Sequence, residues 1–291
     1  FFSVSGRAFS AVQDEDIKFT VNRAEFSSSS GSVVFNNGDN EYLTVNAISG
    51  TFNIGEDVAQ MTNSYINVTL TTNSASYDVA TSTSITSSVS PNDFVLLVYG
   101  TDAVTGTSTV KVSGRTVTNA TSTDTNFTSS YSNGSFIKIG SEVRLVTEVA
   151  SSTSLTVDAP FNATITSSAH YSVTPLFDII KVNSVTSTKL TLNRPPLLTV
   201  NSSTSNCVSI QKVVHGYVSS YETGSGKLTI KESNAANSNF LFRASSGNNY
   251  RYLVGDVSDA LAKVVSIDDV SGSIFTPFIS TLNISGTQTT F

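Results

Sequence analysis

Residues Gly134–Pro160 read GSFIKIGSEVRLVTEVASSTSLTVDAP. Ser135–Ile139 alternates apolar and polar side chains, and Gly140-Ser141 turns the chain. Glu142–Val149 resumes the alternation through Val143, Leu145 and Val149, and Ser151-Ser152 turns it again. Leu155 and Val157 then share one face of a third short strand. Alternation with a period of two, punctuated by Gly and Ser, predicts a half-buried antiparallel meander. No residue in the stretch suits a nucleophile, a metal-ligand set or a phosphate cradle. It speaks to architecture and not to a reaction.

The composition outside this stretch agrees. Ser and Thr make up 88 of 291 residues, charged residues are 13%, and Trp is absent. A chain rich in Ser, Thr, Val, Ile, Phe and Tyr favours strands over helices. The 38% apolar content is enough for packed cores, which argues against global disorder. The length suits two or three β-domains. The expected fold is all-β: two or three small antiparallel sandwich or barrel domains, in series or with one inserted in a loop of another. The boundaries expected are 1–104, 105–176 and 177–291.

In the first region, Ser32–Phe35 and Tyr42–Val45 flank Asn36-Asn37-Gly38-Asp39, a hairpin signal. Thr51–Ile54 and Ile66–Thr72 are expected strands, Ser74–Ser90 an excursion poor in large apolar residues, and Phe94–Tyr99 (FVLLVY) a fully apolar strand. In the second, Thr107–Val112 runs to a Ser113-Gly114 turn. Thr116–Phe127 reads as loop, the meander follows, and His170–Val173 returns before Pro175. In the third, Val213–Tyr221 and Lys227–Lys231 flank the Gly-bearing loop Glu222–Gly226 as a hairpin. Asp256–Lys263 is the one place where a helical turn is expected, and Ile274–Ile279 is a closing strand.

A rhythm recurs at Phe52–Val58, Phe136–Val143 and Tyr252–Val257: an aromatic leads a strand, Gly ends it, and an acid and a Val follow. This predicts a tight turn whose Gly takes a positive φ. It is too loose for a solenoid repeat.

Chemistry-bearing residues are sparse. Cys207 is the single cysteine, so no internal disulfide forms, and it reads as a small buried residue rather than a reactive thiol. His170 and His215 have no His, Cys or Glu at metal-ligand spacing. Asp14-Glu15-Asp16, Asp256 with Asp259, and Asp268-Asp269 are acidic clusters, none with the pattern of a calcium loop. A carboxylate pair for glycoside hydrolysis would meet only in the fold, and the aromatic platforms such clefts use lack Trp here. Asn-x-Ser/Thr occurs at Asn67, Asn119, Asn126, Asn133, Asn162, Asn201 and Asn283, as chance allows at this Ser/Thr content. No catalytic, cofactor-binding or metal-ligating residue is assigned, and the chain is not expected to be an enzyme.

The net charge of −6, with scattered Lys and Arg, disfavours a nucleic-acid partner. No apolar run reaches the length that spans a bilayer, so membrane insertion is not expected. The chain opens Phe1-Phe2, without Met or a signal-peptide pattern, which reads as a fragment or a processed product.

The text of the second region resembles a small β-module of tailed-phage virion proteins. The residues that carry this are Thr107–Gly114 (TSTVKVSG), Gly134–Gly140 (GSFIKIG), Val143–Val146 (VRLV) and Leu155–Phe161 (LTVDAPF). The third region is similar to the same kind of protein at Gly216–Tyr221, Gly226–Ile230, Leu253-Val254-Gly255 and Phe275–Ser280, and Phe52–Gln60 has the same character. Such text occurs in tail, baseplate and fibre components and in large structural proteins of contractile-tailed phages, marine and cyanobacterial ones among them. The resemblance covers about two thirds of the chain. It implies a structural role in the virion, with copies of itself and other virion proteins as partners. It carries over no enzymatic residue. The alternative expectation is a glycan-binding receptor-recognition module or bacterial adhesin that holds a host surface glycan through its loops.

Overall fold

A computed structural model describes residues 2–3, 9–10, 30–35, 41–62, 64–121, 126–200, 207–232, 242–246, 250–267 and 280–285. In chain order the strands are β1 (Phe2–Ser3), β2 (Phe9–Ser10), β3 (Ser30–Phe35), β4 (Glu41–Ser49), β5 (Asp57–Gln60), β6 (Leu70–Thr71) and β7 (Asp78–Thr81). They continue with β8 (Phe94–Ser113), β9 (Thr116–Asn119), β10 (Phe136–Ile139), β11 (Glu142–Ser151), β12 (Ser154–Val157), β13 (Ile165–Val185) and β14 (Lys189–Leu192). The last are β15 (Cys207–Lys212), β16 (Val214–Glu222), β17 (Lys227–Glu232), β18 (Tyr252–Gly255), β19 (Leu261–Ile267) and β20 (Ser280–Ser285). One helical turn, α1 (Phe127–Ser130), interrupts them. The fold is all-β and antiparallel throughout.

Contacts divide the chain into two units: Phe1–Phe35 with Ser280–Phe291, and Asn36–Ile279. The first holds two ribbons, β1 with β2, and β3 with β20 in the register Ser30↔Ser285 to Phe35↔Ser280. The hairpin signal Asn36–Asp39 lies outside the described residues. On either side of it, β3 pairs with β20, while β4 pairs with β17 and β19.

The larger unit starts with a closed barrel of order β16-β17-β4-β19-β18-β5. Its interior is Leu43, Val45, Phe52, Val58, Val218, Leu228, Ile230 and Leu253, among others. The expected hairpin over Glu222–Gly226 is present, with Glu222 opposite Lys227 and Gly226 at φ +68°. Thr51–Ile54, expected as a strand, is the connection between β4 and β5.

A second ring comes from two long strands. The N-terminal half of β8 (94–101) pairs with β15 on one side and β13 on the other. Its C-terminal half pairs with β9, then β12, β11 and β10 follow, and β10 pairs with the start of β13, which returns to β8. Those six strands enclose Val110, Val112, Val117, Phe127, Ile137, Ile139, Val146, Leu155 and Val157. Three register shifts between β13 and β8, at Ile165/Ser168, Ala169/Tyr171 and Ser172/Thr174, supply the curl. Bulges of this kind increase strand twist and turn a sheet into a barrel wall. The boundaries expected at 104/105 and 176/177 fall inside β8 and β13. His170–Val173 was expected to end before Pro175, but β13 runs on through it.

The other halves of β8 and β13 continue into β14, β7 and β6, with β15 on the opposite side. Phe94–Tyr99 is continuously apolar because both its faces are covered. Leu96 and Val98 pack into one cluster with Phe136, Val143, Leu145, Phe177 and Tyr252, while Val95, Leu97 and Tyr99 pack into another with Leu70, Val79, Ile180 and Leu190. The first cluster also takes Ala59, Val254 and Leu261 from the six-stranded barrel. For the same reason the meander is buried on two faces where one was expected. Ile137, Ile139 and Val146 face the small ring, and Phe136, Val143 and Leu145 face the shared cluster.

Other expectations change with tertiary context. Thr116–Phe127 contains β9 and leads into α1. Ser74–Ser90 contributes β7 and the buried Ile85 and Val89. Asp256–Lys263 is a non-helical turn followed by β19. Ile274–Ile279 lies outside the described residues. Of the three rhythmic glycines, Gly55 (φ +89°) and Gly140 (φ +61°) take positive φ. Gly255 does not, and a Cβ there would stand 2.6 Å from Ser258 Oγ and 2.7 Å from Glu56 Oε1. Its role is close approach.

Candidate functional site

One concavity among the described residues is a groove of about 250 Å³. One side is the segment 65–69, which runs beside the outer edge of β15. Tyr65 bridges to Gln211, and Ile66 N–H donates to Ile210 O at 2.9 Å. The turn residues Ser141 and Glu142, together with Asn162, line it as well, with Arg144, Val208 and Ser209.

Beneath the groove lies a network of buried charge. Arg144 is only 2% exposed. Its guanidinium pairs with the Glu142 carboxylate and donates to Pro160 O (3.2 Å) and Val143 O (2.9 Å). It stands over the Tyr65 ring at 4.1 Å and faces Phe161 at 5.1 Å. Asp158 is buried and accepts from Leu145 N–H (3.0 Å) and the Tyr65 hydroxyl (3.0 Å). Burial pushes the Asp158 carboxyl up to about 6, against the opposing pull of Arg144. Burial and then Asp158 hold the Tyr65 hydroxyl well above its usual range. Tyr65 therefore stays a neutral donor. A buried ion survives only where hydrogen bonds and an opposite charge replace water, and this network supplies both.

The groove's lining thus has two charged groups, and they neutralise one another. Four further polar side chains, those of Asn67, Thr69, Ser141 and Asn162, form no hydrogen bond among the described residues. The arrangement can offer donors and acceptors to a small polar ligand. It holds no nucleophile–base pair.

A second junction joins the six-stranded barrel to the sheet. Arg194 Nη1 lies 2.6 Å from Asp178 Oδ1, and Nη2 lies 3.6 Å from Asp256 Oδ2. Asp256 Oδ1 is buried without a partner. Burial, followed by the neighbouring Asp57, pushes the Asp256 carboxyl up to about 6, with Glu56 and Asp178 adding to the shift and Arg194 opposing it. Asp259 takes φ +48° and accepts from Phe177 N–H at 3.2 Å.

The sequence candidates end in structural places. Cys207 is buried, and burial pushes its thiol up to about 11, which leaves it protonated. His170 is buried with Nδ1 2.7 Å from the Tyr131 hydroxyl, and burial lowers its proton affinity. His215 is buried, stacks on Phe94 at 3.7 Å and pairs with Asp57 at 2.6 Å. Among the described residues no group of three or more His, Cys, Asp or Glu could hold a metal, and no helix is long and apolar enough to cross a membrane. Asp14-Glu15-Asp16 and Asp268-Asp269 lie outside the described residues.

No protein family, no curated protein and no solved structure matches this chain. The groove's residues were not picked out from sequence. Asn67 and Asn162 drew notice only as glycosylation-type triplets, and β6–β10 separate Tyr65 from Arg144 while β6–β12 separate it from Asp158. The one local signal was Arg144, a charge within an otherwise apolar run, VRLV.

Proposed function

We propose that this chain is a structural component of a tailed-phage virion, of the tail, baseplate or fibre, that works by assembly with copies of itself and neighbouring virion proteins. The observation that carries this is the β3–β20 ribbon. Two strands of six residues pair only with each other among the described residues. An isolated two-stranded ribbon is marginal in water, and a further strand or a covering surface stabilises it. A neighbouring chain is the natural source in a particle built of repeated subunits. Ile54 and Val257 add to this, because they are 74% and 72% exposed at turns that Glu56 ties together by accepting from Ser258 N–H and Oγ–H. The text that resembles phage virion modules falls on four of the six strands of the small ring, β8, β10, β11 and β12.

The test is immunogold electron microscopy with an antibody raised against residues 1–291. Label at one end of the tail on purified particles is the expected result. Label on bacterial envelopes with none on particles overturns the proposal and promotes an adhesin. The polar groove favours a second reading, recognition of a host surface glycan. Binding on a saccharide array tests it, and loss of all binding across the array removes it.

A further inference from the structure

The groove beside β15 is built for a neutral ligand. Its two charged groups, Glu142 and Arg144, are paired, and Arg144 has its remaining donors on Pro160 O and Val143 O. A phosphate or carboxylate ligand would have to displace Glu142 from Arg144, over a buried Asp158. Breaking a buried pair leaves an uncompensated charge, one of the costliest changes a protein core can suffer. Polyanions are further disfavoured by the net charge of −6.

What the groove does offer is unengaged hydrogen bonding. The Asn67 and Asn162 amides each carry donor and acceptor atoms side by side, and Thr69 and Ser141 add hydroxyls. Glu142 keeps acceptor capacity beyond its bond from Arg144 and two long contacts of 3.3 Å from Asn162 N–H. Side-by-side donor and acceptor atoms match vicinal hydroxyls. The volume of about 250 Å³ is below the roughly 300–1,000 Å³ of sites for drug-sized ligands, so one ring fits and an extended chain does not. Tyr65 is locked by Asp158 at its hydroxyl and by Arg144 over its ring, so the wall it forms is ordered before any ligand arrives.

We infer that this groove binds one ring of a neutral saccharide, held by Asn67, Asn162, Ser141 and Glu142. The inference rests on the glycan reading and gives it a place and a ligand class. A single ring held by exposed hydrogen bonds binds in the millimolar range, on the order of 1 mM. Many copies in one particle would raise the avidity well above that.

The test is saturation-transfer NMR on residues 1–291, with neutral pyranoses and their disaccharides as probes and N-acetylneuraminic acid as the anionic control. The expected result is binding of at least one neutral pyranose. Asn67→Ala and Asn162→Ala are each expected to weaken it about fivefold, the cost of one hydrogen bond. Both side chains are exposed and outside the buried network, so the variants keep the wild-type near-ultraviolet circular dichroism. Binding that is unchanged in the double variant overturns the groove while leaving a glycan site elsewhere. Preference for the anionic probe overturns the neutral-ligand groove while leaving the glycan reading, and no binding by any probe overturns both. Labelling of particles reports on the virion proposal independently of either outcome.

Discussion

At the residue scale, Arg144 is buried and held by an ion pair, two backbone carbonyls and an aromatic ring, and two predictions belong here. Replacing it by Met removes the charge that opposes the upward shift of Asp158 and leaves that carboxyl buried without a cation. Arg144→Met is expected to cost about 3–5 kcal/mol in urea unfolding, and Asp158→Asn in the same chain to recover part of it. Asp158 alone gives a signed pH effect. Its folded value of about 6 lies above the unfolded value of 3.8, so the folded state binds the extra proton between them. Stability from this group therefore falls as pH rises from about 4 to 6 and is flat beyond. Asp158→Asn removes that slope, read as the wild-type minus variant difference across the window. The second prediction concerns Gly134, at φ +93°, where a Cβ would collide with Ile48 Cγ2 of β4. Gly134→Ala is expected to cost about 1–3 kcal/mol by strain and overlap together. Ile48→Ala should relieve only the overlap, so a double-mutant cycle separates the two. Little of this was legible in sequence. Gly134 is one turn glycine among many, and nothing near Arg144 names Asp158 or Tyr65 as its neighbours. Those contacts exist only once β11, β12 and the 65–69 segment are in place.

At the element scale, strands were legible where alternation and turn chemistry agree. Glu222–Gly226 and Gly140-Ser141 give hairpins in the expected places, because a Gly with positive φ and alternating flanks specify register locally. The strands on either side of Asn36–Asp39 find partners far away in sequence, β3 in β20 and β4 in β17 and β19. β8 and β13 were each cut in two, since bulges and a strand-borne Pro175 look like ends without the partner strand. The turn between β18 and β19 was expected to be helical from Asp256–Lys263. Its acids instead serve the junction with β13 and Arg194. That junction carries the third prediction. Asp256 has a folded value of about 6, again above 3.8, so it also withdraws stability as pH rises through the window from about 4 to 6. Arg194 is the neighbour that opposes the shift, while Asp57, Glu56 and Asp178 favour the proton. Arg194→Gln is expected to move the Asp256 carboxyl titration, followed by carbon-detected NMR, to a midpoint above about 6. A midpoint that stays or falls would show that Arg194 does not act on Asp256.

At the scale of the whole molecule, the all-β class followed from composition, but closure did not. Whether a run of strands ends in an open sheet or a ring depends on pairings such as β16 with β5 and β13 with β8, which join segments far apart in the chain. Those pairings also decide how the larger unit unfolds. β8 and β13 run through both the small ring and the sheet, and one apolar cluster draws Leu96 and Phe177 from the sheet, Val143 and Leu145 from the meander and Val254 and Leu261 from the six-stranded barrel. No body can open without exposing part of that shared cluster to water. The cost of exposure, about 25 cal/mol per Å² of apolar surface, couples the bodies energetically. Residues 36–279 are therefore expected to melt in one calorimetric transition, with van't Hoff and calorimetric enthalpies equal. Leu96→Ala, at the centre of the cluster, should lower that single midpoint without splitting the peak, at a cost of about 2–5 kcal/mol. Excised residues 105–176 should behave differently. They retain the interior of the ring but bare Phe136, Val143 and Leu145, so they should bind a hydrophobic dye and self-associate. A peak resolved into two, or a monomeric and dye-silent excised ring, would mean that the ring is an autonomous domain and that the shared cluster contributes little to its stability.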